Sequence, residues 1–210
     1  MNKAQQGFTL IELAIVLVIV GLLLGGVFKG QELITQAKIR NVTNDITGIT
    51  TAFHSYQERY RAIPGDDAGA AARWTSPATL SGNGNGQISG NYNDTSGAES
   101  GYFWQHLRLS GLIAGSTSDF TPPQNAVSGV SGVQGSGALG LTGLVLCSSN
   151  LPAKIAQAID SQLDDGNAMT GQVRGELNTG TSTNPAVGAI APTTNYVDNG
   201  NNVYAVCKPV

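Results

Sequence analysis

An apolar run from Phe8 to Phe28 constrains this chain more than any other feature of its sequence. Thr9, Glu12 and several glycines are the exceptions to its apolar character. As an α-helix the run would extend about 31 Å, which is the thickness of the hydrocarbon core of a bilayer. The sequence therefore predicts a helix that can span a membrane.

The position of Gly7 indicates where the chain is processed. An ordinary secretory signal carries its small residues after the apolar stretch, at the cleavage site. Here the polar residues 1–7 end in Gly7, so the small residue comes before the apolar run. We therefore expect cleavage between Gly7 and Phe8, which removes residues 1–7 as a leader and leaves residues 8–28 on the mature protein.

Glu12 is the one carboxylate inside the apolar run. A charge within a membrane span costs about 3 kcal/mol or more, so such a residue is functional by default and needs a partner. Cleavage at Gly7 would give Phe8 a free amine and would make Glu12 the fifth residue of the mature chain. The amine of one subunit and Glu12 of a neighbour could then neutralise each other while their helices pack side by side.

The run Gly7-Phe8-Thr9-Leu10-Ile11-Glu12 resembles the cleavage and methylation motif of type IV pilins and type II secretion pseudopilins. The resemblance closely covers about the first 35 residues. It implies that a prepilin peptidase cleaves after Gly7 and N-methylates Phe8, and that Glu12 serves in assembly. A plain signal anchor, with Glu12 near the membrane face, is the alternative.

The same resemblance implies the partners and the location of the chain. The partners would be further copies of this chain, other pilin-like subunits, the prepilin peptidase and an assembly platform in the inner membrane. The subunit would cross the inner membrane once, with its head in the periplasm, before it enters a surface pilus or a periplasmic pseudopilus.

Beyond the membrane span, apolar residues recur every three or four positions, which predicts one apolar stripe on a helix. The stripe consists of Ile39, Val42, Ile46, Ile49, Phe53, Tyr56 and Tyr60. The helix should end at Ile63-Pro64-Gly65, because the residue before a proline leaves helical conformation. We predict an amphipathic stem over residues 29–62 and a head domain over residues 63–210.

The head is predicted to be α+β, with a small antiparallel sheet and short helices packed on the long N-terminal helix. Residues 80–101 are rich in Gly, Asn and Ser, which indicates turns. One short helix should open at Glu99 or Ser100 and close at Gly111, and another should run from near Asn150 to Gly166. The strand candidates are Ala138–Leu146, Gly171–Leu177 and Val203–Lys208.

The two cysteines, Cys147 and Cys207, form an even pair without the spacing of a metal site. A disulfide between them is the leading interpretation, and it suits a head outside the cytoplasm. The resemblance supports it, since type IV pilins have a C-terminal loop bounded by a disulfide, whereas major pseudopilins usually lack one. Two free buried thiols are the alternative.

The sequence offers one candidate calcium loop. Oxygen-bearing side chains alternate there with glycines at Asn83, Asn85 and Gln87, and the acidic residues near it in sequence are Asp66, Asp67, Asp94 and Glu99. Amide ligands without charge bind calcium weakly, and Asn-Gly is a strong turn signal. We therefore predict a glycine-rich turn with weak or no calcium binding. The pair Asp164-Asp165 is interpreted as structural, and no cofactor is expected.

Catalysis and nucleic-acid binding are poorly supported by the sequence. Its formal net charge of −3 and its scattered basic residues give no field that would attract a phosphate backbone. No motif of a metalloprotease or a serine hydrolase is present. We therefore expect a structural subunit rather than an enzyme. A minor pseudopilin and a membrane-anchored enzyme or binding module that does not polymerise are the alternatives.

Overall fold

The computed structural model describes residues 9–95, 97–178 and 185–210. It contains a long N-terminal helix, three shorter helices and a sheet, so the α+β class is confirmed. In chain order the elements are α1 (Leu10–Tyr60), α2 (Ala70–Arg73), α3 (Glu99–Leu109), β1 (Ser131–Gln134), β2 (Val145–Pro152), α4 (Ala153–Leu163), β3 (Arg174–Leu177) and β4 (Val203–Pro209). The chain divides into two compact units, Met1–Ala37 and Lys38–Val210.

The first unit contains the apolar part of α1. The apolar side chains from Leu10 to Phe28 are exposed, with Leu10 at 88% and Leu22 at 74% of full accessibility. Among the described residues, α1 is the one helix that is long and apolar enough to cross a membrane. The helix continues unbroken through Gly25 and Gly26. From Leu10 to Phe28 the chain thus offers an apolar surface, interrupted by the Glu12 carboxylate, to a lipid or protein environment.

In the second unit, the later part of α1 buries the predicted stripe. The residues of the stripe from Ile39 to Tyr56 are buried, and Tyr60 is partly buried against the same core. The same core cluster includes Phe103, Trp104 and Leu107 of α3, all fully buried. The Phe53 and Phe103 rings stack with their centroids 6.3 Å apart. Each Å² of apolar surface buried in this shared core contributes roughly 25 cal/mol to the stability of the head.

The end of α1 lies three residues before the predicted stop at Ile63. The helix ends at Tyr60, and Arg61 adopts a left-handed conformation with φ of 54°. Pro64 and Gly65 then form the turn into the head. Gly65 has φ of 92°, and a Cβ at this position would lie 2.4 Å from the carbonyl oxygen of Glu99. The turn therefore requires glycine.

The sheet is antiparallel, with strand order β1-β2-β4-β3. The prediction of strands at Gly171–Leu177 and Val203–Lys208 is confirmed in outline by β3 and β4. The prediction of a strand over Ala138–Leu146 is wrong for most of its length, because Leu139 and Gly140 have φ of 54° and 74° and form turns. Only its last two residues join β2.

Two further differences concern β1 and α4. The sequence did not predict β1, whose Gly132 has too little side chain to signal a strand. A Cβ there would collide with the Tyr92 carbonyl, so packing requires the glycine. The second short helix begins at Ala153 rather than near Asn150, because Asn150 and Pro152 belong to β2. Pro152 is the residue that precedes the first helical residue.

Cys147 and Cys207 lie directly opposite each other on β2 and β4 and form a disulfide, with Cα atoms 4.0 Å apart. Both residues are fully buried. The bond joins the two central strands of the sheet across a sequence separation of 60 residues. On the chain-entropy argument, closing a loop of that length contributes about 4 kcal/mol to stability.

Candidate functional site

The described chain begins next to the predicted processing site, with a hydrogen-bonded cap at the start of α1. The Thr9 backbone N–H and the Thr9 hydroxyl both donate to Glu12 Oε2, each at 2.8 Å. In return, the Glu12 backbone N–H donates to Thr9 Oγ1 at 3.3 Å. This reciprocal arrangement is a capping box, which satisfies N–H groups that have no partner inside the helix. Gly7 and Phe8 lie outside the described residues.

The capping box gives Glu12 a role within its own chain. Sequence reasoning assigned this carboxylate only to contacts between subunits, although Thr9 and Glu12 have the Thr-x-x-Glu spacing that indicates such a cap. The recorded bonds all use Oε2. A carboxylate has room for several hydrogen bonds on its two oxygens, so capping and an intermolecular contact are chemically compatible.

In the head, Asp66 lies against the glycine-rich loop, as its nearness in sequence suggested. Its Oδ1 accepts the backbone N–H groups of Gly84 at 2.7 Å and Asn85 at 3.1 Å. Its Oδ2 accepts the N–H of Gly86 at 2.7 Å. The residue is 4% exposed. Three converging amide groups thus compensate a buried carboxylate, which leaves its oxygens engaged with protein donors.

Glu99 is a second carboxylate that holds this loop, although the sequence associated it with the loop only as a neighbouring acidic residue. Its two oxygens accept the N–H groups of Asn83 at 3.0 Å and Ser89 at 2.9 Å. The side-chain oxygens of Asn83 and Asn85 accept N–H groups two residues further along the chain. The four oxygen-bearing residues therefore stabilise turns, and weak or absent calcium binding stays a prediction.

The Asp67 carboxylate has a different set of partners from that of Asp66. Its carboxylate accepts the Tyr56 hydroxyl at 2.7 Å, the Gly69 N–H at 2.8 Å and an Arg73 guanidinium N–H at 2.6 Å. Burial raises the pKa of Asp67, but hydrogen bonds led by that from Tyr56, followed by that from Arg73, outweigh it and hold the pKa below its ordinary value. The Asp67 carboxylate thus accepts hydrogen bonds from Tyr56 of α1 and Arg73 of α2 and links these two helices within the head.

A third acidic group lies at the C-terminal end of α4, where Asp160 in the helix and Asp164 and Asp165 just after it bring carboxylate oxygens within 4.8 Å of one another. Asp160 is fully buried and accepts the Gly166 N–H at 2.9 Å and the Tyr196 hydroxyl at 2.7 Å. Burial raises the pKa of Asp160 above its ordinary value. Asp164 and Asp165 likewise accept donors from the following loop. These contacts fit the structural interpretation of the pair.

The comparisons with known proteins point to the N-terminal segment. Residues 2–28 match the family described as "Prokaryotic N-terminal methylation motif". No curated protein matches the sequence. Among solved structures, the major type IV pilin PilA1 from Clostridium difficile matches with 14% identity and a TM-score of 0.41, over 83% of this chain and 96% of that chain. Similarity at that level carries no argument about the head, whereas the motif match includes Gly7, Phe8 and Glu12.

Proposed function

We propose that this chain, whose N-terminal segment is that of the type IV pilin and pseudopilin family, is a structural subunit of a pilus-like filament. Cleavage after Gly7 and N-methylation of Phe8 produce the mature subunit. Residues 8–28 anchor it in the inner membrane, with the head in the periplasm, until an assembly platform moves it into the filament. There the apolar helices of many copies form the core.

The observation that carries this proposal is the exposed apolar surface of α1 with its single carboxylate. Every large apolar side chain from Leu10 to Phe28 is at least 44% exposed. Such a surface is stable only in lipid or against other apolar helices. Glu12 lies within it, and a charge there needs a partner once lipid or helices surround it. An amine on Phe8 of a neighbouring subunit would supply one.

The head supports a subunit that functions outside the cytoplasm. Its disulfide joins the two central strands, and disulfides persist in oxidising compartments. The bond also favours a surface pilus over a major pseudopilin. A minor pseudopilin is the second candidate, because the helix has no proline near Lys29 to give the bend common in pilins. The domain limits proposed from the sequence are 8–28, 29–62 and 63–210.

Mass spectrometry of the mature N-terminus tests the processing step. We expect a chain that begins with methylated Phe8; a retained Met1, or a cut well after Leu24, would exclude the proposal. Assembly is tested with Glu12→Ala, using Glu58→Ala as the control, since Glu58 is an exposed carboxylate in the second unit. We expect Glu12→Ala to abolish filaments and Glu58→Ala to leave them. Wild-type filament yield from the Glu12 variant would contradict the role of Glu12 in assembly, whereas a wild-type chain that is processed but forms no filaments would favour a membrane-anchored protein that does not polymerise.

Electron microscopy separates the two kinds of filament. The subunit is labelled on its head, and filaments are sheared from the surface of the native cells. Label along long surface filaments supports the pilus. Label confined to the cell envelope supports the pseudopilus of a secretion system.

A further inference from the structure

His106 is a buried imidazole whose two nitrogens hold two different parts of the chain. It lies on α3 and is fully buried. The Gly65 backbone N–H donates to Nδ1 at 2.9 Å, and Nε2 lies 2.8 Å from the Leu80 carbonyl oxygen. Gly65 precedes α2, and Leu80 follows it. One side chain therefore pins both ends of the segment 65–80 to α3.

These two bonds fix the protonation state of the ring. Nδ1 accepts a hydrogen bond from Gly65, so it carries no proton. The Leu80 carbonyl can only accept, so Nε2 must carry the proton and donate it. Only the neutral imidazole with its proton on Nε2 makes both bonds. The imidazolium has a donor at each nitrogen and would face the Gly65 N–H with another N–H.

The charged groups around the ring determine how readily it accepts a second proton. From α1, the Tyr56 ring stacks on the imidazole with centroids 6.3 Å apart. From the segment 65–80, Asp67 attracts a proton to the ring and Arg73 opposes it. Asp67 is itself paired with Arg73 at 2.6 Å. Burial is the largest influence, and it lowers the pKa of His106 below its ordinary value.

The segment held by His106 also positions the glycine-rich loop. The N–H of Gly82 donates to the Asp67 carbonyl at 3.2 Å, and the N–H of Gly84 donates to the Asp66 carbonyl at 3.1 Å. The Asp66 carboxylate also accepts the N–H of Gly84 and those of two further loop residues, Asn85 and Gly86. Release of the Gly65 turn would therefore free Asp66, and with it the loop from Gly82 to Gly86.

We propose that His106 is an acid-sensitive latch, which holds the segment from Gly65 to Gly86 closed when neutral and releases it when a second proton enters the ring. In the closed state Nδ1 accepts the Gly65 N–H. On acidification a proton from solvent binds Nδ1, that hydrogen bond is lost, and the buried Gly65 amide loses its acceptor. The latch would let a mildly acidic environment open one part of the head while the disulfide-linked sheet stays folded.

The difference in the pKa of His106 between the closed and open states determines how far, and in which direction, pH changes the opening equilibrium. Because the folded-state pKa of His106 is lowered, the closed state is favoured fully above the pKa of an open histidine, about 6.5, and loses stability as the pH falls below it. At pH 5, an imidazole that titrates at 6.5 when open and stays neutral when closed would increase the opening equilibrium up to about 30-fold.

Hydrogen–deuterium exchange of the full chain in detergent micelles, at pH 7 and pH 5, measures the latch directly. After correction for the intrinsic effect of pH, we expect exchange at Gly65, Gly84 and Gly86 to rise up to about 30-fold at pH 5, with no comparable change in β2 and β4. A pKa difference of one unit between the open and closed states would already raise the exchange rate about tenfold. A rise of less than about twofold in the exchange rates of those glycines would therefore refute the latch.

Two neutral substitutions provide matched controls. His106→Asn places an amide oxygen near Nδ1, where it can accept the Gly65 N–H, and His106→Gln places an amide N–H near Nε2. Neither side chain titrates, so the additional opening at pH 5 should disappear in whichever variant folds. If a folded variant opens as much as wild type, another group is responsible and the proposal fails.

An NMR titration of the imidazole signals in the wild-type chain needs no substitution. The only other histidine in the sequence, His54, is exposed on α1. We expect the His106 signals to titrate below pH 6.5, the ordinary value for histidine, because burial lowers the pKa of His106. Titration at or above that pH would exclude the latch even if both variants failed to fold.

Discussion

The double role of Glu12 leads to a prediction that separates charge from helix capping. Glu12→Gln removes the charge but keeps a side-chain oxygen that can accept the two bonds from Thr9, since Gln also serves in a capping box. Thr9→Val removes the hydroxyl and keeps the charge. The two substitutions therefore perturb the two roles of the same arrangement one at a time.

The charge of Glu12 and its helix cap contribute different free energies. A carboxylate within a membrane span costs roughly 2.5–3.5 kcal/mol without a partner. If a neighbouring amine recovers that energy on assembly, loss of the charge weakens each subunit contact by about 100-fold, at 1.4 kcal/mol for each factor of ten. Loss of a helix cap costs about 1 kcal/mol and acts within one chain. We therefore expect Glu12→Gln to abolish filaments and Thr9→Val to leave most of them.

The assay is the yield of sheared filaments relative to the amount of subunit in the membrane fraction. Mass spectrometry of the N-terminus accompanies it, because both residues lie near the cleavage site and a variant that is not processed cannot report on assembly. The opposite pattern, with filaments from Glu12→Gln and none from Thr9→Val, would show that Glu12 acts through the cap and would refute the charge argument.

Three further predictions concern the head. Replacing Cys147 and Cys207 by Ser should lower the free energy of unfolding by about 4 kcal/mol, measured by denaturant titration. If a reducing buffer left the stability of the wild-type chain unchanged, that result would be evidence against the disulfide. Asp66→Asn should cost about 2–3 kcal/mol, since one of its two acceptor oxygens becomes an amide donor facing backbone N–H groups, whereas Glu58→Gln should change stability little. Because the pKa of Asp67 is lowered in the folded state, its contribution is present above about pH 4, the ordinary value for Asp, and is lost as the pH falls below it. Asp67→Asn should therefore flatten the fall in thermal stability between pH 4 and pH 2, and an equally steep fall in that variant would contradict the assignment.

The parts of the fold that could be predicted from the sequence are those with a strong local period. The apolar stripe from Ile39 to Tyr56 repeats every three or four residues over five helical turns, and the structure buries it as predicted. The helix α3 has a clear stop at Gly111, whose φ is 72°. In both cases the sequence pattern lies in the same segment of the chain as the helix or helix end that it predicts.

The sheet was predicted less well because its strands depend on contacts that are distant in sequence. Gly132 belongs to β1 because the Tyr92 backbone packs against it, and no pattern near Gly132 reveals that contact. The run from Ala138 to Leu146 has the apolar content of a strand, but its glycines with positive φ fold it into turns up to Val145. At such positions packing overrides local propensity.

The glycine-rich loop shows why the same residues predict two different kinds of site. Oxygen-bearing side chains alternate with glycines in a loop that binds calcium, and also in a loop whose backbone N–H groups surround a carboxylate. Both loops must bend sharply around the group that they enclose. The two loops differ in what they enclose. A calcium ion requires several oxygens to point at one position, whereas here Asp66 and Glu99 each use both carboxylate oxygens to accept backbone N–H groups. Hydrogen bonds to a charged group are worth about 1.5–3 kcal/mol each, so a cation that needed those oxygens would have to displace several of them. The orientation of Glu99, which comes from α3, therefore decides between the two, and that orientation cannot be obtained from the loop sequence.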